Sequence, residues 1–211
     1  MKFILSIFFF LPFLCLSQVA KNEIYPLDIP EFEVNSGEII YREIFEFQAD
    51  QKKLHSIGLK TISELYRSSK SVIDLNDLEN GILVVKGNLP LQANGYYVPM
   101  GNYLPLKVTY TLEHVLMIES KDSRIRVTLD KFKFISAVTS DGQITTFNQP
   151  NNLDEQYIKN YKNLILNEKA KKRENANFYN MSVILNELNQ ISLILLDQIQ
   201  ENYTKNLKDD W

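Results

Sequence analysis

Two neighbouring stretches of alternating apolar and polar residues constrain the fold of this chain more than any other feature. In residues 106 to 118 apolar side chains recur at nearly every second position, and residues 124 to 130 alternate in the same way. The turn-forming run Lys121, Asp122, Ser123 separates the two stretches. Because a period of two places successive side chains on opposite faces of a strand, the pattern predicts an antiparallel hairpin with one apolar and one polar face.

The second strand of this hairpin changes its apolar phase near Asp130 and Lys131. The next apolar residues are Phe132 and Phe134, which continue the pattern on even-numbered positions. A shift of this kind is typical of a β-bulge or of a strand end. We therefore expect the strand to bend or to stop at this point.

Shorter runs of β-branched and aromatic residues predict three further strands. These runs lie at residues 39 to 47, 71 to 75 and 82 to 86, and turn-forming residues separate the last two. Together with the hairpin they predict an α+β fold built on an antiparallel sheet of about five strands.

Helical spacing of apolar residues predicts three helices. Asp50 is placed to cap a helix over residues 51 to 67, which we expect to pack on the apolar face of the sheet. After the break at Pro150 the spacing predicts a C-terminal helical pair. The chain thus divides into a leader (1 to 17), an extended lead-in (18 to 36), an α+β domain (37 to 140) and C-terminal helices (151 to 208).

The longer C-terminal helix, over residues 175 to 207, has a wide apolar face with two interpretations. The face packs on the sheet or on the preceding helix, or it forms a surface for a partner or a second copy. Its apolar positions are Met181, Ile184, Leu185, Leu188, Ile191, Ile194, Leu195, Leu196 and Ile199. The basic run at 169 to 173 predicts a solvated linker between the helices, with a site for an anionic partner as the alternative.

The N-terminus carries the pattern of a secretory signal peptide. Lys2 precedes a predominantly apolar run of fourteen residues, 3 to 16, and Cys15 and Ser17 are small residues at the positions that a signal peptidase recognises. Spanning a membrane takes about 20 apolar residues, so we expect cleavage near Ser17 and no transmembrane anchor. Leu14 before Cys15 does not fit a lipid-attachment signal. The mature protein is therefore predicted to be extracytoplasmic, either periplasmic or secreted.

Composition excludes several classes of function. Cys15 is the only cysteine, so the mature chain has no disulfide, no thiolate nucleophile and no cysteine-ligated zinc. The formal net charge is −3, and only five of the 23 cationic residues are Arg. Because arginine is the residue best suited to bidentate phosphate contacts, we expect no nucleic-acid partner.

The two histidines are the strongest candidates for chemistry. His55 lies on the predicted first helix beside two lysines, which predicts exposure to solvent. His114 lies on the apolar side of the 106 to 118 strand, which favours a hydrogen-bonded core residue over a general base. No metal-ligand spacing and no glycine-rich phosphate loop occurs in the sequence. We expect no catalytic residue, cofactor or metal; the alternative is a small hydrolase without a recognisable motif, with its active residues around His114.

Residues 88 to 105 are predicted to form a long loop between two strands. The segment concentrates proline and glycine with three tyrosines, Tyr96, Tyr97 and Tyr103. Long loops are often functional, and tyrosine offers a large contact area with a hydroxyl group for orientation. These tyrosines are our candidate binding residues; the alternative is that they hold the loop against its own domain. The favoured function is a non-catalytic binding module for an envelope component or another protein.

Residues 37 to 139 resemble a bacterial family of secreted proteins, domain of unknown function 4468, which has a TATA-binding-protein-like fold. The segments that carry the resemblance are Gly37-Glu-Ile-Ile-Tyr-Arg-Glu-Ile as the opening strand, Leu65-Tyr66 at the end of the first helix, Ser71-Val-Ile-Asp-Leu-Asn-Asp as the second strand, and Glu119-Ser-Lys-Asp-Ser-Arg-Ile-Arg-Val-Thr-Leu as the last hairpin. The resemblance implies this fold. It implies no active site, because the family has no assigned chemistry.

The fold name does not imply DNA binding. A TATA-binding protein bends DNA with a basic concave sheet, whereas the polar face predicted here mixes cations with carboxylates. The charged residues of that face are Lys107, Arg124, Arg126, Glu113 and Asp130. Their charges roughly cancel, so we do not expect this face to attract a polyanion.

Overall fold

A computed structural model describes residues 27–66, 72–97, 104–140, 142–166 and 168–208. The predicted leader and Tyr103 lie outside these residues. The described elements, in chain order, are β1 (Glu33–Asn35), β2 (Glu38–Glu46), α1 (Gln51–Leu65), β3 (Ile73–Asp77), β4 (Ile82–Tyr97), β5 (Leu104–Lys121), β6 (Arg124–Thr139), β7 (Ile144–Asn152), α2 (Glu155–Leu166) and α3 (Glu168–Lys208).

The strands form one antiparallel sheet with the order β1-β2-β6-β5-β4-β3. β6 is long enough to pair with two strands on the same side, β2 along its first half and β7 along its second. The α+β class and the antiparallel sheet are confirmed. The predicted strand count was too low, because the sheet has seven strands rather than about five; β1 and β7 were not recognised in the sequence.

The central hairpin, β5 and β6, is confirmed. Lys121 and Arg124 pair across the turn, and Ser123 has a φ of 66°. The predicted irregularity is also present, since the register shifts between Glu113 and Val115 and Lys131 has a φ of 56°. This bulge keeps Phe132 on the buried face after the alternation has changed phase.

The predicted loop over residues 88 to 105 is wrong for residues 88 to 97 and 104 to 105, which are strand, and residues 98 to 103 lie outside the described chain. β4 continues to Tyr97 and pairs with β5 residue by residue until Tyr97 lies opposite Leu104. Pro90 suggested a break in the strand, but β3 pairs only with residues 82–85 of β4, so Pro90 lies on a strand edge beyond β3. At an edge the missing N–H of proline costs no ladder hydrogen bond.

Helix α1 begins as predicted. A carboxylate oxygen of Asp50 accepts a hydrogen bond from the backbone N–H of Lys53 at 2.8 Å, which satisfies one of the free donors of the first turn. The helix crosses α3 at Gly58, where an added Cβ would lie 2.5 Å from the hydroxyl oxygen of Tyr203. Only glycine allows this close approach.

Helix α3 is longer than predicted. It runs unbroken from Glu168 to Lys208, so the predicted linker at residues 169 to 173 is helical. Lysine, arginine, glutamate and alanine are all good helix formers, which explains why the charged run continues the helix. Among the described residues, no helix is both long and apolar enough to cross a membrane.

The sheet, α1 and the two C-terminal helices share one hydrophobic core. The apolar face of α3 packs into it, as the first interpretation of that face predicted, although Ile194 is 54 % exposed. The fully buried members from the helices are Leu54, Ile62, Tyr161, Leu185, Leu188, Ile199 and Tyr203. One face of the sheet is therefore covered.

Candidate binding surface

In the described part of the chain, the opposite face of the sheet lies outside this core. Along β5, the even-numbered residues from 112 to 120 are all buried, whereas the odd-numbered residues from 113 to 119 are half-buried. This alternation follows from the pleat, which turns successive side chains to opposite faces. We call the side that carries the odd-numbered residues of β5 the uncovered face.

Charged side chains on the uncovered face pair with one another. The Arg126 guanidinium donates two hydrogen bonds of 2.5 Å to the Glu119 carboxylate. Lys133 forms an ion pair with Glu113, and Lys86 one of 3.0 Å with Asp74. The predicted mixture of opposite charges is confirmed. Because the opposite charges are paired, this face has only a weak net electrostatic potential for attracting a highly charged ligand.

An apolar row crosses the same face between these ion pairs. Leu75, Val84 and Met117 are neighbours on three adjacent strands. Leu75 is 46 % exposed, and Ile44 at the other side of the sheet is 57 % exposed. A partly open hollow of about 180 Å³ next to Ile44 is lined by Glu119, Lys121, Arg124, Ile125 and Arg126.

The far end of the β4–β5 hairpin carries two of the three predicted binding tyrosines. Tyr97 is 60 % exposed and lies opposite Leu104, which is 49 % exposed. Tyr96 instead packs edge-on against Tyr179 of α3, with ring centroids 5.3 Å apart. The two tyrosines therefore have different roles in the structure: Tyr97 presents its ring to solvent, and Tyr96 holds the hairpin to α3.

Asn180 of α3 fixes the backbone beneath Tyr97. Its side-chain oxygen accepts a hydrogen bond of 2.9 Å from the N–H of Tyr96, and its amide group donates one of 3.0 Å to the Tyr96 carbonyl. Gly95 makes room for this contact, because a Cβ there would clash with the Asn180 side-chain oxygen. No local pattern in the sequence indicates this long-range clamp, which only the packing of α3 on the sheet creates.

His114 is a core residue, as favoured by its position in the strand. It is 0 % exposed, and its Nε2 lies 2.8 Å from the Tyr66 hydroxyl. Its ring stacks on Tyr66 and Phe132, and Gly87 leaves space for the pair. Burial lowers the pKa of His114 to about 4, so the ring is neutral near pH 7. The hydrolase alternative relied on this histidine, and the ring has no access to a substrate.

The predicted exposure of His55 is wrong. The residue is 2 % exposed, and its Nε2 lies 2.7 Å from the side-chain oxygen of Asn76 in β3. It lies next to Leu54 on the buried face of α1, and the two preceding lysines, Lys52 and Lys53, obscured this position in the sequence. Within the described ranges, no group of three or more His, Cys, Asp or Glu side chains could hold a metal ion.

Comparison with known proteins finds similarity only at the level of structure. No family model and no curated protein matches the chain. A DUF4468 family protein from Bacteroides ovatus ATCC 8483 is similar with 16 % identity and a TM-score of 0.36, over 56 % of this chain and 64 % of that chain. A TBP-like protein from Parabacteroides distasonis ATCC 8503 is similar with 13 % identity and a TM-score of 0.45, over 80 % of this chain and 96 % of that chain. The structural neighbours thus include a member of the family that residues 37 to 139 resemble.

Proposed function

We propose that this protein is an exported, non-catalytic binding module that contacts another protein or an envelope component through Tyr97 and Leu104 at the end of the β4–β5 pair, which we call the hairpin tip. The pattern of residues 1 to 17 supports export. The composition around Tyr96, Tyr97 and Tyr103 supports a contact role for the tip. The two described tyrosines divide this role: Tyr97 contacts the partner, and Tyr96 positions it.

The exposure of Tyr97 on a fixed backbone carries the proposal. Ordering a flexible loop on binding costs conformational entropy, and a preformed strand end avoids much of that cost. Here Asn180 holds both backbone groups of Tyr96, so the next residue is already placed. Tyrosine is enriched among the residues that dominate protein–protein binding energy, and Leu104 extends its apolar surface.

The test is capture of a partner from a native envelope extract, with the exported chain as bait. Replacing Tyr97 with Ser is expected to lower recovery of the captured partner about tenfold or more. Ile144→Ser is the matched control, because Ile144 is 72 % exposed on β7 and outside the hairpin tip. Both variants should keep the wild-type unfolding midpoint. Equal recovery by Tyr97→Ser and wild type contradicts the proposed surface.

Export is tested separately by N-terminal sequencing of the protein after expression in a bacterial host. Cleavage near Ser17 should leave Gln18 as the first residue. Retention of residues 1 to 17 in the extracytoplasmic protein, or recovery of the protein only from the cytoplasm, contradicts this part of the proposal.

A further inference from the structure

The outer edge of β2 lacks a strand partner over residues 41 to 46 in the described chain. β1 pairs only with residues 38 to 40, and β6 takes the inner edge. A free edge presents backbone donors and acceptors that can pair with another strand.

Backbone directions show which residues of β2 face outward. The N–H of Phe47 donates to the carbonyl of Ser123 at 2.9 Å, so this N–H points toward the β6 side. Directions alternate along an antiparallel strand, so the odd-numbered residues point inward and Arg42, Ile44 and Glu46 point outward. The turn from β1 to β2 agrees, because Asn35 and Glu38 close it as its terminal pair.

The same three residues carry a self-complementary pattern of side chains. In register they lie beside Thr128, Arg126 and Arg124 of β6. Positive Arg42 and negative Glu46 are therefore equally spaced on either side of Ile44, which is 57 % exposed. An antiparallel copy of this segment reverses the order of charges.

We propose that the outer edge of β2 binds the same edge of a second copy of this chain, antiparallel and with Ile44 on the two-fold axis. In this register Arg42 lies opposite Glu46 of the second copy, and the reciprocal pair follows from the symmetry. Opposite charges facing each other across two strands stabilise the pairing. This surface is separate from the hairpin tip, and the inference does not depend on the proposed function.

The alternative registers are less favourable. An axis at Arg42 places two arginines opposite each other, and an axis at Glu46 places two glutamates together. In the proposed register Glu43 lies opposite Phe45 of the second copy, without a like-charge contact. An axis at any other residue of β2 does not place Arg42 opposite Glu46, so the charges favour the register centred on Ile44.

The existing contact of Arg42 is compatible with this arrangement. Arg42 forms an ion pair of 3.3 Å with Glu33, and both side chains are substantially exposed. Such exposed pairs contribute little to stability, so turning the guanidinium partly toward Glu46 of the second copy costs little.

Charge reversal tests the register. Each single variant, Arg42→Glu or Glu46→Arg, places two pairs of like charges opposite each other across the dimer. Each is therefore expected to raise the dimer Kd about tenfold or more. The double variant, with both changes, restores opposite pairs and should restore the wild-type Kd. Lys107→Glu is the control, since Lys107 is on the same face away from β2 and should leave the Kd unchanged. Sedimentation equilibrium measures all four variants against wild type. A wild-type chain that is monomeric at every concentration, or a double variant as weak as the single ones, overturns the proposal.

A cysteine on the axis gives an independent measurement. In a chain that carries Cys15→Ser, the variant Ile44→Cys has a single thiol, so any disulfide must join two copies. Directly hydrogen-bonded antiparallel partners have Cα atoms about 5.5 Å apart, within the range of disulfides. Mild oxidation should cross-link Ile44→Cys much faster than the control Leu75→Cys, which is exposed on β3. Equal rates for the two variants overturn the proposal.

Discussion

The two faces of the sheet are built from alternate residues of the same strands, yet they have different physical roles. On the covered face, β5 contributes Leu112, Leu116 and Ile118 to a core shared with α1 and α3. On the uncovered face, the odd-numbered residues from 113 to 119 are half-buried, and Glu113 and Glu119 form ion pairs with residues of β6. Most of the apolar burial of the described sheet therefore lies on the covered face, so we expect substitutions there to cost the most stability.

The largest effect is expected from removing a side chain of the covered face. Leu112 is 0 % exposed in the centre of β5, so Leu112→Ala should lower the free energy of unfolding by about 2 to 5 kcal/mol. Thr109→Ala, on the uncovered face of the same strand, is the control and should change it by less than about 1 kcal/mol. Chemical denaturation measures both. An unchanged midpoint for Leu112→Ala contradicts its place in the core.

A pH effect is also expected from the covered face, through His114. Its pKa in the folded protein is about 4, below the ordinary 6.5, so between these values the unfolded chain binds more protons. The contribution of His114 to the free energy of unfolding should therefore be constant above pH 6.5. It should fall as the pH decreases toward 4, by about 3 kcal/mol in total. His114→Gln removes the titrating group, and the difference between the two pH profiles isolates its contribution. Parallel profiles contradict this assignment.

A smaller effect is expected where α3 holds the hairpin. Asn180→Ala removes two hydrogen bonds to the backbone of Tyr96 and should lower the free energy of unfolding by about 1 to 2 kcal/mol. Hydrogen exchange should also show faster exchange at the Tyr96 amide. Gln190→Ala serves as the control, because Gln190 is exposed on the same helix and lies outside this contact. Unchanged exchange at Tyr96 in Asn180→Ala would show that the clamp does not hold the strand.

The smallest effect is expected from an ion pair of the uncovered face. Arg126 is half-exposed, so replacing it with Gln should cost no more than about 1 kcal/mol even though its pair with Glu119 has two hydrogen bonds. The difference from wild type should shrink at high salt, because salt screens exposed charges. A larger, salt-independent loss would mean that this face contributes to stability as the covered face does.

Sequence patterns predicted those parts of the fold that local periodicity determines. The β5–β6 hairpin was predicted because both strands alternate, and α1 was predicted because Asp50 marks its start. The extent of β4 was missed because the edge position that tolerates Pro90 depends on where β3 ends. The burial of His55 depends on Asn76, which lies 21 residues away in the chain.

The candidate surface was predicted only in part, for the same physical reason. Tyrosine composition pointed to the region of Tyr97, but it could not distinguish the exposed ring from that of Tyr96. That distinction depends on Tyr179 and Asn180, far away in the sequence. The β2 edge was not recognised as a surface because its position depends on the strand order, which pairing between distant segments determines.

Leu116 and Met117 provide the most direct test of the difference between the two faces. They are consecutive residues of β5; Leu116 is 0 % exposed on the covered face, and Met117 is half-buried on the uncovered face. The measurement is the free energy of unfolding of Leu116→Ala and Met117→Ala against wild type. We expect a loss of about 2 to 5 kcal/mol for Leu116→Ala and about 1 kcal/mol or less for Met117→Ala. Equal losses of stability for the two variants would contradict the difference between the covered and the uncovered face of the sheet.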